Sequence, residues 1–141
     1  DLALAAALDR AGNVFVTGSS TGRATSLDIL TVKYSPVGET LWTRRWNGPA
    51  NGDDRGWCTV AAPGGGCFVA GTSAGSGVGE ELVVLAYDAA GTLTGSYRRE
   101  AGEARPTGMA LDGDRLLVAG HGRVEDGSRG FLLFDFSISG R

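Results

Sequence analysis

At 141 residues the chain has the size of one ordinary domain and can bury most of its apolar surface if compact. Its 24 glycines, against a usual share of roughly 7%, come with only 4 prolines and no three-residue period. That excludes collagen and low-complexity linkers and points to a many-turned all-β domain. A net charge of −3 argues against a nucleic-acid surface, and no apolar run approaches the ~18 residues of a membrane-spanning helix.

The chain opens at Asp1, without Met, in the middle of a repeat pattern, and is expected to be a mature or excised segment of something longer. No signal peptide is recognisable in it. Leu2–Asp9 has the Ala and Leu of a helix former, yet its counterparts further on, Trp57–Ala62 and Thr107–Asp112, read as strands. All three share small residues, which suit a strand crowded near the axis of a radial array. Asp9–Asn13 is a tight turn in which Gly and Asn are expected to supply positive φ. Val14–Thr17 is the second strand. Ser19–Asp28 then reads as a polar loop, matched by Thr72–Glu81 and His121–Arg129, which share little beyond being hydrophilic.

Ile29–Tyr34 is the third strand, and its counterpart Leu82–Tyr87 is apolar at every position. A strand without polar alternation is covered on both faces. Thr40–Trp46 and Leu93–Arg99 are polar fourth strands, as an outer sheet edge requires. Asn47–Arg55 returns the chain to the axis. The third copy, with Phe131–Phe136 as its third strand, stops at Ser139–Arg141 before any fourth.

The copies are in register. Gly18, Gly71 and Gly120 lie 53 and 49 residues apart, and so do Tyr34, Tyr87 and Phe136. Two independent anchors with one period identify a repeat protein. The predicted fold is all-β: three repeats of about 50 residues, each a four-stranded antiparallel β-propeller blade, the last incomplete. The blades are 1–56, 57–106 and 107–141, the last lacking its outer strand. Three blades are fewer than the about four to eight of a closed ring, so the open blade faces are expected to recruit protein. That protein is a second copy completing a six-bladed ring or a longer parent chain.

With Pro63–Gly66 as the hairpin loop, Ala62 faces Cys67 and Cys58 faces Gly71. The sulfurs are then ~13 Å out of step, too far for a disulfide. Two small buried thiols are expected.

The string from Gly12 to Asp54, GNVFVTGSS…DILTVKYSPVGETLWTRRWNGPANGDD, resembles the bacterial β-propeller repeat family of SBBP type. The first repeat matches a GNVYVTG strand, a TVKY strand, a GN-LW strand and an NGP-NGDD connector. The second keeps Phe68–Gly71 and Tyr87–Gly91 but has Gly95 where the Trp should fall and lacks the connector. The third keeps only the two apolar cores. The resemblance implies a propeller module, exported or at the cell surface of a bacterium, with no shared catalytic residues to carry over.

Candidate chemistry is sparse. Asn51, Asp53 and Asp54 put an amide and two carboxylates in one loop, oxygen ligands suited to Ca²⁺, but the loop lacks the ligand count of a dedicated site and a structural turn is favoured. His121, the only histidine, falls in a variable loop with Glu125 and Asp126 as nearest partners for general-base work. Ser19, Ser20 and Thr72 follow glycines in the corresponding loops without a GxSxG frame. Gly75–Gly79 lacks the Lys and the following helix of a phosphate loop. Trp42, Trp46 and Trp57 are stacking candidates; Trp42 is a structural position in the family, and Trp57 has no assigned role. No catalytic residue, cofactor or metal is assigned. The expected function is a non-enzymatic propeller module for protein interaction or scaffolding in an exported or surface assembly. The alternatives are a carbohydrate-binding propeller, or a fragment of a propeller enzyme such as a quinoprotein dehydrogenase or a lyase.

Overall fold

The structure, a computed structural model, describes residues 1–75, 79–100 and 103–138. Among the described residues the chain is all-β, with three antiparallel sheets in sequence order. The first holds β1 (Leu2–Leu8), β2 (Val14–Thr21), β3 (Leu27–Tyr34) and β4 (Thr40–Trp46). The second holds β5 (Asp54–Ala61), β6 (Cys67–Ala74), β7 (Glu80–Tyr87) and β8 (Leu93–Glu100). The third holds β9 (Arg105–Asp112), β10 (Arg115–Arg123) and β11 (Arg129–Ser137). The expected stop of the third repeat, at 139–141, lies outside the described residues, as do positions 76–78 of the glycine-rich loop.

Leu2–Leu8 is a strand despite its helix-forming composition, because Ala5–Leu8 pair with Val14–Thr17. Pairing with a β-branched and aromatic neighbour overrides local propensity. The same local defect recurs in each sheet. A bulge sits at Leu4, at Trp57 and at Thr107, so the first strand gains one residue over the second. Opposite each bulge stands the glycine that ends the repeated motif. A Cβ on Gly18, Gly71 or Gly120 would lie under 3.0 Å from the backbone oxygen of Leu2, Arg55 or Arg105. The periodic glycine is therefore a close-approach position, kept free of a side chain by the kinked neighbouring strand.

Side-chain alternation builds two cores on the two faces of the middle sheet. Phe15, Ile29 and Trp42 of the first sheet pack on Cys67, Val69, Val83, Leu85 and Tyr87. On the other face Phe68, Ala70, Val84 and Ala86 meet Leu116 and Val118 of the third sheet. The unbroken apolar run Leu82–Tyr87 is thus covered on both sides, as its sequence predicts. The first strands draw together: β5 lies beside β1, β2 and β3, and β9 lies beside β5 and β6. Gly56 permits this approach, since a Cβ there would meet Thr17 Oγ1 and Ile29 Cγ2. Strand β8 is exposed along most of its length, which agrees with its polar sequence.

Three sequence expectations need correction. The polar loops are much shorter than predicted. Ser19, Ser20 and Thr21 extend β2, Thr72–Ala74 extend β6, and His121–Arg123 extend β10. Polar residues fit these extensions because the strands continue their main-chain pairing to the turn at Gly22–Ser26 and at Val124–Ser128. The β5–β6 register is one residue from the predicted one: Ala61 faces Cys67 and Cys58 faces Ala70, because the bulge at Trp57 takes up a residue. The cysteines still fall on opposite faces of the sheet, free and buried. At the first turn only Gly12 has positive φ; Asn13 instead donates through its side chain to Asp9 Oδ2 at 2.9 Å.

Candidate functional site

The first two sheets are joined by a polar clamp at the turns after β5 and after β7. Lys33 Nζ donates to the carbonyl of Gly65 at 2.7 Å and of Ala89 at 3.4 Å, and lies 5.3 Å from the Phe15 ring centre. Trp42 Nε1 donates to Ala89 O at 3.0 Å. Arg44 donates to Gly91 O at 2.7 Å and to Ala90 O at 3.2 Å. A buried ammonium is tolerable only when its donors are met, and here main-chain carbonyls meet them.

The second interface lacks the clamp. Ala86 and Gly95 pair with each other as Lys33 and Trp42 do, and stand at the same repeat positions. Between these sheets lies an open cavity of about 430 Å³ lined by Phe68, Ala86, Thr94 and Ile138, with Pro63 and Asp88 nearby. Tyr97, at the position of Arg44, instead meets Phe136 edge-on at 4.9 Å.

At the opposite end, the hairpin turns and the β4–β5 connector carry a carboxylate network. Asp54 is buried and accepts from Gly48 N at 2.7 Å and Ser73 Oγ at 2.6 Å. Burial raises its pKa above the usual carboxylate value, and the nearby charge of Asp28 adds to the rise against those hydrogen bonds. Asp53 accepts from Ser26 Oγ and from Leu27 N at 3.2 Å, and pairs with Arg55. The Ser26 hydrogen bond is the main reason that its pKa is lowered. Asn51 accepts from Asn47 Nδ2 at 2.7 Å and has a left-handed φ of 54°. The three oxygen-bearing residues of the Ca²⁺ candidate are thus each engaged by different donors. Among the described residues no group of three or more His, Cys, Asp or Glu is placed to hold a metal ion.

The binding-loop candidates divide. Ser19, Ser20 and Thr72 are buried strand residues rather than loop residues. Ser20 Oγ donates to Asp1 Oδ1 at 2.7 Å and accepts from Arg45 at 2.8 Å, and Arg45 also bridges to buried Asp28 at 3.2 Å. Thr72 Oγ1 accepts from Trp57 Nε1 at 2.9 Å. Trp57, without a role in the sequence, is the bulge residue of β5, and the Arg105 guanidinium lies 4.3 Å from its ring centre. Arg105 and His121 are register partners, and both line a groove of about 390 Å³ with Glu80, Glu103 and Arg129.

His121 therefore shares its groove with Glu80 and Glu103, whereas Asp126 is turned onto its own hairpin, accepting from Ser128 N at 2.8 Å. Glu103 is held by Arg123 and Arg129, each at 3.3 Å. Glu80 pairs with Arg55 at 3.8 Å, so the groove is a mixed-charge surface with both carboxylates already paired. Lys33, Arg45 and Arg105 were not singled out from the sequence. Lys33 had a signal, being a cation inside an apolar run where the later repeats carry Ala86 and Asp135.

No protein-family model matches the chain, and comparison with curated proteins finds no match. Among the described residues no helix is long and apolar enough to cross a membrane.

Proposed function

We propose that the chain is a β-propeller repeat module that works by non-enzymatic protein interaction or scaffolding, within an exported or cell-surface assembly. The observation that carries this is the stacking of the sheets. The middle sheet is covered on both faces, while the outer sheets present exposed apolar residues, Leu8 and Leu41 at one end and Phe131 and Leu133 at the other. Apolar patches left open on a small domain mark contact surfaces. The convergence of β1, β5 and β9 supports a radial arrangement of blades, and the SBBP-type motifs of the first repeat support the same reading. The export assignment rests on that resemblance alone.

The tryptophans favour interaction over carbohydrate binding. Trp42 is buried, Trp46 packs on the first core, and Trp57 lies beneath Arg105, so their rings are engaged within the protein. Light scattering over a rising concentration series tests the proposal. Association beyond the 14.5 kDa chain mass is expected. A folded species that stays monomeric at every concentration refutes it.

A further inference from the structure

The two open faces of the stack are the two halves of a contact that the structure already makes twice. Each internal interface joins a face of one kind to a face of another. The leading kind carries Phe15, Ile29 and Thr31 in the first sheet and Phe68, Leu82 and Val84 in the second. The receiving kind carries Val69, Val83 and Leu85 in the second sheet and Val118, Leu132 and Phe134 in the third. By the repeat spacing, the third sheet's leading positions are Leu117, Phe131 and Leu133. The first sheet's receiving positions are Val16, Leu30 and Val32.

Burial shows what each position is built for. Ile29 is 0% exposed and Leu82 1%, whereas Phe131 at the same repeat position is 96% exposed. The next position runs Thr31 0%, Val84 7% and Leu133 68%. A large apolar residue is retained where the two equivalent residues are sealed by the following sheet. At the other end Val16, Leu30 and Val32 alternate with buried Thr17, Ile29 and Thr31, so they point away from the second sheet. They are apolar throughout, like the receiving residues that they match. Asp135 stands where Lys33 does, and Arg115 neutralises it at 2.8 Å.

We propose that the leading face of the third sheet docks on the receiving face of the first sheet of a second copy, head to tail, repeating the internal stacking across the junction. This rests on the reading of the chain as an interaction module and adds the faces and their polarity. A heterologous contact of this kind closes into a ring when the rotation per sheet permits and otherwise propagates. Like-with-like association would pair two leading faces or two receiving faces, combinations that neither internal interface uses.

The test uses the whole chain and two double variants, Phe131→Glu with Leu133→Glu and Val16→Glu with Val32→Glu. Far-UV circular dichroism first checks that each retains its strands. In size-exclusion chromatography with light scattering, the wild type associates, and each variant alone is weakened by at least about tenfold. An equimolar mixture of the two recovers a heterodimer, because one variant keeps an intact receiving face and the other an intact leading face. If either variant still associates alone while the mixture gains nothing, the contact joins like faces and the head-to-tail proposal falls, although the interaction reading stands. If the wild type never associates, both fall. Should one variant fail to fold, the conservative pair Phe131→Ser and Val32→Ser gives the same comparison.

Discussion

Gly71 is the position where one added methyl group tests the architecture most sharply. A Cβ there would lie under 3.0 Å from the carbonyl oxygen of Arg55 and at 3.0 Å from Ile29 Cδ1. The first obstacle is backbone and the second belongs to a fully buried side chain, so neither yields cheaply. Strand β5, which carries Arg55, is held between β1–β3 on one side and β9 on the other. Retreat of the strand would disturb both cores at once. Overpacking of this kind costs about 1–3 kcal/mol, and loss of the bulge pairing places Gly71→Ala at the upper end. With a urea m-value of about 1–3 kcal/mol per molar, the midpoint falls by roughly 1–3 M. The equivalent change at Gly18 meets Leu2 O, but Leu2 lies at the exposed end of β1, where the strand end can move, so the loss is smaller. Gly108 is the control: nothing lies within 4 Å of its Cβ position, and Gly108→Ala should be neutral or stabilise by about 0.4–1 kcal/mol. Urea unfolding followed by tryptophan fluorescence reads all three. Equal midpoints for Gly71→Ala and wild type, or a larger loss at Gly108, would refute the bulge-and-glycine account.

The clamp between the first two sheets predicts that Lys33→Met costs about 1.5–3 kcal/mol, since it removes a charged donor from Gly65 O and leaves that carbonyl unmatched. Trp42→Phe keeps the ring contacts with Phe15 and Tyr87 but loses the bond to Ala89 O, for about 0.5–1.5 kcal/mol, and thermal melts should rank the two accordingly. Burial pushes the thiols of Cys58 and Cys67 up to about 12, so a thiol reagent at mildly alkaline pH should label neither until the chain opens, with labelling rates that track urea concentration. The Asp54 pKa is raised above its ordinary 3.8, so the folded state binds its proton more tightly than the unfolded state. Its contribution to stability is full below 3.8 and is lost as pH rises through the raised value. Asp53, with a lowered pKa, acts in the opposite sense, contributing fully above 3.8 and losing that contribution as pH falls through the lowered value. Comparing Asp54→Asn with wild type across this acidic window isolates the first effect: the variant should gain on the wild type as pH rises.

Much of the architecture was legible because burial writes itself into residue type. Leu82–Tyr87 has no polar position, and the structure covers both of its faces. Leu93–Glu100 is polar, and it lies exposed at an edge. The glycines at 18, 71 and 120 were visible as a period, but their cause was not: a bulge leaves no fixed residue type, being Leu4 in one sheet, Trp57 in the next and Thr107 in the third. The same defect moved the Cys58 register by one. Strand extensions through Ser19, Ser20 and Thr72 were hidden for another reason. Hydroxyl side chains read as loop when considered alone, but they suit a strand end where Arg45, Asp1 and Trp57 supply partners from elsewhere in the chain. No local pattern can announce a partner that lies 15 to 25 residues away.

The two internal interfaces also differ in a way that bears on the order of the sheets. The first sheet holds the second through Lys33, Trp42 and Arg44, whose donors reach the carbonyls of Gly65, Ala89, Ala90 and Gly91. The second sheet holds the third by apolar and aromatic contacts, with Ala86 and Gly95 in the places of Lys33 and Trp42. The directional donors of the first sheet fit a turn that offers carbonyls at the right spacing, and a mismatched turn would leave a buried ammonium without partners. The apolar interface makes no such demand. Stacking alone would let any sheet follow any other, since all three present faces of the same two kinds. The polar clamp removes that freedom at one junction, fixing which sheet follows the first, while leaving the later junctions to shape complementarity.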